Sequence, residues 1–300
     1  MHHILYDCDN TFGLPRKEID DGLTLLYLLG RSDVELLGVT TTFGNGTAEE
    51  ARQQTQALLA AVETDGVPVV RGAEERGDPA PEAARFLLDT VVDRKGEVTL
   101  LATGPLGNVR AAAELNPDFF ANVRQIVCMG GYERPLRVGW RKISELNFSS
   151  DPEAAHAVLN APCPVTVMNA HVCLQARFGL PDLWRTRFWN QAIQRVIRSW
   201  LVLFGLYVGV PAFYLWDLLP AIYISVPDLF DRRIVRSCST IPDLTEGSLV
   251  VEETPDGLER EGWINMPRDI LNVPAFKQLL FEAWAEVANR QGSFFIASIL

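Results

Sequence analysis

Short apolar runs, each followed by a stretch with helical spacing, limit what this chain can fold into more than any other feature. The apolar runs are "HILYD", "ELLGVTTT", "VPVVRG", "EVTLLATG", "RQIVCMGG" and "CPVTVMNA"; between them lie "DDGLTLLYLL", "AEEARQQTQALLAAV", "PEAARFLLDTVV", "NVRAAAELN" and "DPEAAHAVLNA". Strand then helix, repeated, with strands that are apolar throughout, predicts a mostly parallel sheet covered by helices on both faces. The expected fold is therefore α/β, with one domain over residues 1–300, a length at which such chains commonly stay undivided. In these sheets ligands bind beyond the carboxyl ends of the strands. Asp7 and Asp9, Thr42 to Asn45, Thr103 to Asn108 and Met129 to Gly131 all fall where a strand runs out. The C-terminal third differs, with a helical stretch around 188–209 and short strands such as "IVRSCST" and "SLVVEE", and it reads as a cap.

The formal net charge of −11 argues against nucleic acid or an anionic membrane as partner, because both demand a basic face. A small polar ligand is expected instead. Five cysteines, odd in number and without a CxxC pair, suggest neither a disulfide framework nor a zinc site. They fit a cytoplasmic protein, and no signal peptide is expected ahead of the first strand. The segment "WLVLFGLYVGVPAFYLW" at 200–216 sits near the lower length limit for a membrane span and is broken by Pro211, so a buried or site-capping helix is expected.

The first strand and the loop after it gather Asp7, Asp9, Glu18, Asp20 and Asp21 ahead of an apolar helix. Like charges held together need a positive partner. Taken alone, "DCDNT" resembles the nucleophile motif of the haloacid dehalogenase-like phosphatases, which would make Asp7 the nucleophile and Asp9 the acid/base, with Mg²⁺ beside them. That family also needs a late acidic pair such as GDxxxD. The chain has none, and Asp20 and Asp21 come too early to replace it.

Read over its whole length, the chain shows "DCDN" and "DDGLTLLYLL", then "TTTFGN", "LLATGPLGN", "IVCMGG", "ELNFSSDPEAAHAVL" and "LWDLLPAIY", in that order. This series resembles the calcium-dependent nucleoside hydrolases, over roughly residues 4 to 230, whose opening motif has the form DxDPGxDDA. The resemblance implies hydrolysis of an N-glycosidic bond through an oxocarbenium-like ribosyl cation. It implies one Ca²⁺ held by the carboxylates of Asp9, Asp21 and Asp217 and the backbone carbonyl of Thr103, which suits a hard cation with six to eight oxygen ligands. Asp9 would also be the general base toward a water on that ion, and Asp7 would orient the loop. Asp20, Asn45, Glu145, Asn147 and Asp217 would bind the ribose, with Met129 beneath it. The family also implies a homodimer or homotetramer. Each residue has a plainer reading: Asp20 as a helix N-cap and Asp21 as a first-turn carboxylate, Asn45 and Asn147 as turn residues, Met129 as strand core.

The chain departs from the family in several places. A longer segment, Asn10 to Ile19 with Arg16 and Lys17, replaces Pro-Gly in the opening motif. Trp216 precedes Asp217 where many members have the His thought to protonate the leaving base. A Trp there resembles the purine-preferring branch, in which the indole stacks on the base. His171, after "VTVM", is expected to be a buried structural histidine rather than a substitute acid. Residues 70–85 lack the His-Gly-rich loop of many relatives, and Leu146 stands where many have Phe. The expected activity is a purine-leaning ribonucleoside hydrolase. The alternatives are an N-ribohydrolase for a modified or non-nucleoside ribosyl substrate, a non-catalytic ribosyl or metal sensor, and more distantly the phosphatase.

Overall fold

The computed structural model describes residues 1–254 and 262–297. Its strands are β1 (His2–Cys8), β2 (Val34–Thr41), β3 (Val69–Arg71), β4 (Val98–Ala102), β5 (Gln125–Met129), β6 (Arg137–Val138), β7 (Arg141–Lys142), β8 (Val165–Met168), β9 (Arg177–Gly179), β10 (Ala212–Tyr214), β11 (Ile234–Ser237), β12 (Val251–Glu253) and β13 (Trp263–Asn265). Nine of them form one sheet in the order β12-β11-β13-β8-β5-β4-β1-β2-β3. The strands from β13 to β3 are parallel, and β11 is antiparallel to both its neighbours. Every residue of β4 and β8 is buried, as continuous apolar strands covered on both faces require.

From β1 the chain moves outward to β2 and β3, then returns to the other side of β1 to place β4, β5 and β8. The order therefore reverses between β1 and β4, and the crevice at their carboxyl ends is where an open α/β sheet leaves room for a ligand. Asp9 follows β1 and Thr103 follows β4, one on each side of that crevice. The backbone N–H of Thr103 donates to the carbonyl of Asp7 at 2.9 Å, so the pairing continues to the edge of the loops.

Helix Asp20–Gly30 is buried along almost its whole length. It lies against the C-terminal helix Val273–Ala297, where Trp284 Nε1 donates to the carbonyl of Leu23 at 2.9 Å. A side chain at Gly30 would meet the backbone oxygen of Ala283 at 1.9 Å, so only glycine permits this approach. The burial of both faces anchors the start of the helix, which carries Asp20 and Asp21.

The C-terminal third is a cap only in part. Strands β11 to β13 extend the main sheet beside β8, because "IVRS" and "WIN" supply the ladder groups that would otherwise leave β8 an open edge. The capping element is helix Gln191–Val208, slightly shorter than the 188–209 expected. Asn190 accepts from the Ile193 N–H at its start, and Gly209 ends it at φ +75°. Ile193, Ile197, Leu201, Phe204 and Val208 make its buried stripe at helical spacing. The apolar segment 200–216 is thus the end of this helix followed by β10. No helix of the described residues is long and apolar enough to cross a membrane.

Candidate active site

The floor of the crevice is made by three strand ends and two helix starts. Asp9 is 1% exposed; its Oδ2 accepts from the Asn45 backbone N–H at 2.5 Å, while its Oδ1 is buried without a partner. Gly44, at φ +149°, makes this possible, since a Cβ there would lie 2.1 Å from Asp9 Oδ2. Asp21 Oδ1 receives the Thr103 hydroxyl at 2.6 Å and the Tyr6 hydroxyl at 3.0 Å, and its carboxyl lies beside that of Asp9. Asp217, at the start of helix Leu218–Ser225, donates its backbone N–H to Asp20 Oδ2 at 3.4 Å. Asp20 is therefore not a helix cap: the capping position is Ile19, and the Asp20 side chain reaches across to Asp217.

Behind this floor, Asn147 Nδ2 donates to the carbonyls of Thr103 at 2.9 Å and Met129 at 3.1 Å, and lies 3.2 Å from the Met129 sulfur. A carbonyl oxygen has two lone pairs, so the Thr103 oxygen keeps acceptor capacity beyond this bond. Glu145 accepts from the backbone N–H groups of Phe148 and Ser149, each at 2.8 Å. Asp7 does a different job from the one expected. Its Oδ1 takes the Thr40 hydroxyl at 2.5 Å and Asn108 Nδ2 at 2.6 Å, tying β1 to β2 and to helix Gly107–Leu115 rather than orienting the loop.

Burial pushes the carboxyls of Asp9, Asp20 and Asp217 well above the ordinary range, and neighbouring carboxylates push them further. Asp21 is raised by burial too, against the bonds from the Thr103 and Tyr6 hydroxyls. Asp7 is pushed up to about 7, chiefly by burial. Among the described residues no Lys or Arg is ion-paired to any of these five carboxyls. Nor is any group of three or more His, Cys, Asp or Glu already drawn together as a metal centre. The donor chemistry still suits a hard cation: the buried, unpartnered Asp9 oxygen faces a second carboxyl with no positive side chain to neutralise either.

Above the floor opens a cleft whose polar lining includes Glu18, Asn45, Thr103, Glu145, Asn147 and Asp217. Its other wall is apolar: Leu136, Ile143, Leu146, Ala170, Phe204 and Trp216. Trp216 is 8% exposed and packs on Tyr214, with ring centroids 5.3 Å apart, and Tyr214 in turn meets Phe204 edge-on at 6.3 Å. Leu146 is 46% exposed at the mouth. No residue from 70–85 lines the cleft.

Nine of the ten residues singled out from the sequence therefore lie on the cleft or directly on its floor: Asp9, Asp20, Asp21, Asn45, Thr103, Met129, Glu145, Asn147 and Asp217. The tenth, Trp216, is in its wall. His171 is elsewhere, in a separate polar pocket with Glu133, Arg134 and Arg268. Sequence reasoning gave no role to Tyr6, whose hydroxyl is invisible in an apolar strand, or to Phe204, whose helical spacing marks it simply as core. It also left Glu18 without one. The signal for Glu18 was a carboxylate inside the extra loop.

The fold and the matches to known proteins agree. Among solved structures, a plant nucleoside hydrolase superposes with a TM-score of 0.82 at 18% identity, covering 95% of this chain and 99% of that one. The purine-preferring ribonucleoside hydrolase of Gardnerella vaginalis superposes equally well, at 0.82 and 20% identity over 95% of this chain and 99% of its own. In sequence, uridine nucleosidase 1 of Arabidopsis thaliana is 29% identical, covering 72% of this chain and 73% of that protein. The pyrimidine-specific ribonucleoside hydrolase RihA of Shewanella baltica is 26% identical over 90% of this chain and 96% of its own. The sequence model for inosine-uridine preferring nucleoside hydrolases matches residues 4–278, and the chain belongs to that family of hydrolases acting on N-glycosyl compounds.

Proposed function

We propose that this protein hydrolyses ribonucleosides to ribose and free base, with a leaning toward purines, and uses one Ca²⁺ at the strand ends. The observation that carries the reading is the set of buried carboxyls at the β1/β4 crevice, unpaired with any Lys or Arg of the described residues and open to an aromatic-walled cleft. Asp9, Asp21, Asp217 and the Thr103 carbonyl would hold the ion. When bound, it would neutralise the cluster and acidify a water for attack.

Asp9 would take a proton from the attacking water as the water oxygen bonds to C1′ of the sugar and the C1′–N bond to the base breaks. The Asn45 N–H fixes the Asp9 carboxyl for this step. Asp20, Asn45, Glu145, Asn147 and Asp217 bind the ribose hydroxyls. Glu145, fixed by two backbone N–H groups, is held as an acceptor. Met129 packs beneath the ring. The carboxylates oppose the positive charge that develops on the sugar, so their effect is largest in the transition state. The purine leaning rests on Trp216 and Phe204, whose faces offer more stacking area to a bicyclic base. The relatives named for uridine and pyrimidine point to the smaller base, and the ratio of inosine to uridine turnover decides between the two. Assembly as a homodimer or homotetramer and a cytoplasmic location belong to the same proposal; light scattering and fractionation measure them.

The test is base release from inosine, guanosine, uridine, cytidine and a base-modified nucleoside, with Ca²⁺ and with chelator. Release that requires the ion supports hydrolysis. Ion binding without release from any substrate would leave a sensor in its place.

A further inference from the structure

A ribonucleoside gives up its base only if the electron pair of the breaking C1′–N bond is accepted, and neutral bases leave slowly unless they are protonated. The cleft contains no His, Lys, Cys or Tyr side chain among its lining residues. Asp217 is committed to the floor, and Glu145 is bonded to backbone N–H groups. One ionisable side chain is left over, from the loop that replaces the family's Pro-Gly.

We propose that Glu18 is the general acid of this site, donating its proton to a ring nitrogen of the departing base. This rests on the hydrolase reading above. As the bond breaks, its electron pair passes to the base, the Glu18 proton goes to that base, and the water proton goes to Asp9. The products are neutral base and ribose, and Glu18 takes a new proton from solvent.

The loop is built to hold this carboxyl in place. The Glu18 carbonyl accepts the Thr11 hydroxyl at 2.9 Å, and Lys17 Nζ donates to the Asn45 carbonyl at 2.5 Å. Asn45 Nδ2 donates in turn to Glu18 Oε2 at 3.3 Å. Lys17 and Glu18 thus clamp Asn45 from both ends, and Glu18 is left on the cleft wall opposite no basic group. Facing it are Asp20 and Asp21 from the helix start, Asp9 from the end of β1 and Asp217 from helix Leu218–Ser225. Arg16, Lys17 and Arg195 of helix Gln191–Val208 line a second cleft on the outer side of the loop. Burial of the carboxyl end, helped by Asp21 and opposed by the Asn45 bond, raises Glu18 to about 7, so it keeps a proton to give near neutrality.

The experiment compares Glu18→Gln with the wild-type protein at saturating Ca²⁺ on two substrates, inosine and 4-nitrophenyl β-D-ribofuranoside. The nitrophenolate leaves without a proton. The variant should lose about 100-fold or more in kcat/KM on inosine and less than about 10-fold on the nitrophenyl riboside, the range expected for loss of an acid. The wild-type profile on inosine should also fall above about pH 7, and that limb should be absent with the nitrophenyl riboside. Equal losses on both substrates, or an unchanged rate on inosine, would overturn the acid role while leaving hydrolysis standing. A wild-type protein inert on both would overturn hydrolysis and the acid together.

Discussion

The two sides of the cleft are built on different principles. The floor comes from the first half of the chain and from Asp217, and three of its carboxyls are held by groups on neighbouring elements: Asn45 on Asp9, Thr103 and Tyr6 on Asp21, the Asp217 N–H on Asp20. The opposite wall comes from the segments that follow β5, β8 and β10 and from helix Gln191–Val208, and it offers area rather than hydrogen bonds. A floor of fixed acceptors suits the sugar, whose hydroxyls are the same in every ribonucleoside. A wall of packed apolar side chains suits a variable base, which it recognises by stacking. Chemistry should therefore depend on the floor, and preference among substrates on the wall.

The sharpest way to break this division is Asp9→Ala, which removes the base and one ligand. Turnover should fall by about 10³-fold or more on every nucleoside, as for loss of a general base together with its ion, while circular dichroism stays native. Near-normal activity in the folded variant would remove Asp9 from the reaction. Next comes the wall. Trp216→Ala should lower kcat/KM for inosine by about 10- to 100-fold, the roughly 1 to 3 kcal/mol of a base–aromatic stack, and for uridine much less. Equal losses on both would mean that Trp216 only supports Asp217, and the purine leaning would go with it.

The floor also predicts a pH dependence of stability. Asp7 and Glu18 titrate near 7 in the folded protein, whereas the unfolded chain releases these protons near 4. Between those values the folded state holds more protons, so stability present at acid pH is lost as pH rises through about 7. Without Ca²⁺ the melting temperature should drop by roughly 10 °C from pH 5 to pH 8, several kcal/mol at the usual conversion. Ca²⁺ should restore more of it at pH 8 than at pH 5, because it needs deprotonated ligands. A metal-free protein whose melting temperature rises over that interval would contradict the buried-acid reading. The smallest effect is expected at the mouth, where Leu146→Phe should change the inosine rate by about threefold or less and stability by about 0.5 kcal/mol, as exposed sites do.

The floor was legible in the sequence because its residues end apolar strands or open helices, and the switch point turns that register into position. Asp9 and Thr103 could be placed this way from the strand pattern alone. The roles of neighbouring carboxyls were less legible: Asp20 followed by Asp21 at a helix start has the same local sequence whether the side chain caps the helix or reaches Asp217. Asp7 likewise binds Thr40 and Asn108, which are far away in the chain and give no local signal. The wall was hidden for a further reason. Phe204 lies on the buried stripe of a helix, and a stripe facing a ligand cleft has the same spacing as one facing core. The strands β11 and β12 read as a cap because they are short; they join the main sheet through β13, a pairing across distant segments.

Anomalous diffraction from crystals grown in millimolar Ca²⁺ shows whether the buried carboxyls at the β1/β4 crevice bind one calcium ion. A single ion should be found in contact with Asp9, Asp21, Asp217 and the carbonyl of Thr103, at oxygen distances of about 2.3 to 2.6 Å. An empty crevice at that concentration, or a zinc ion held by cysteines elsewhere, would contradict that binding.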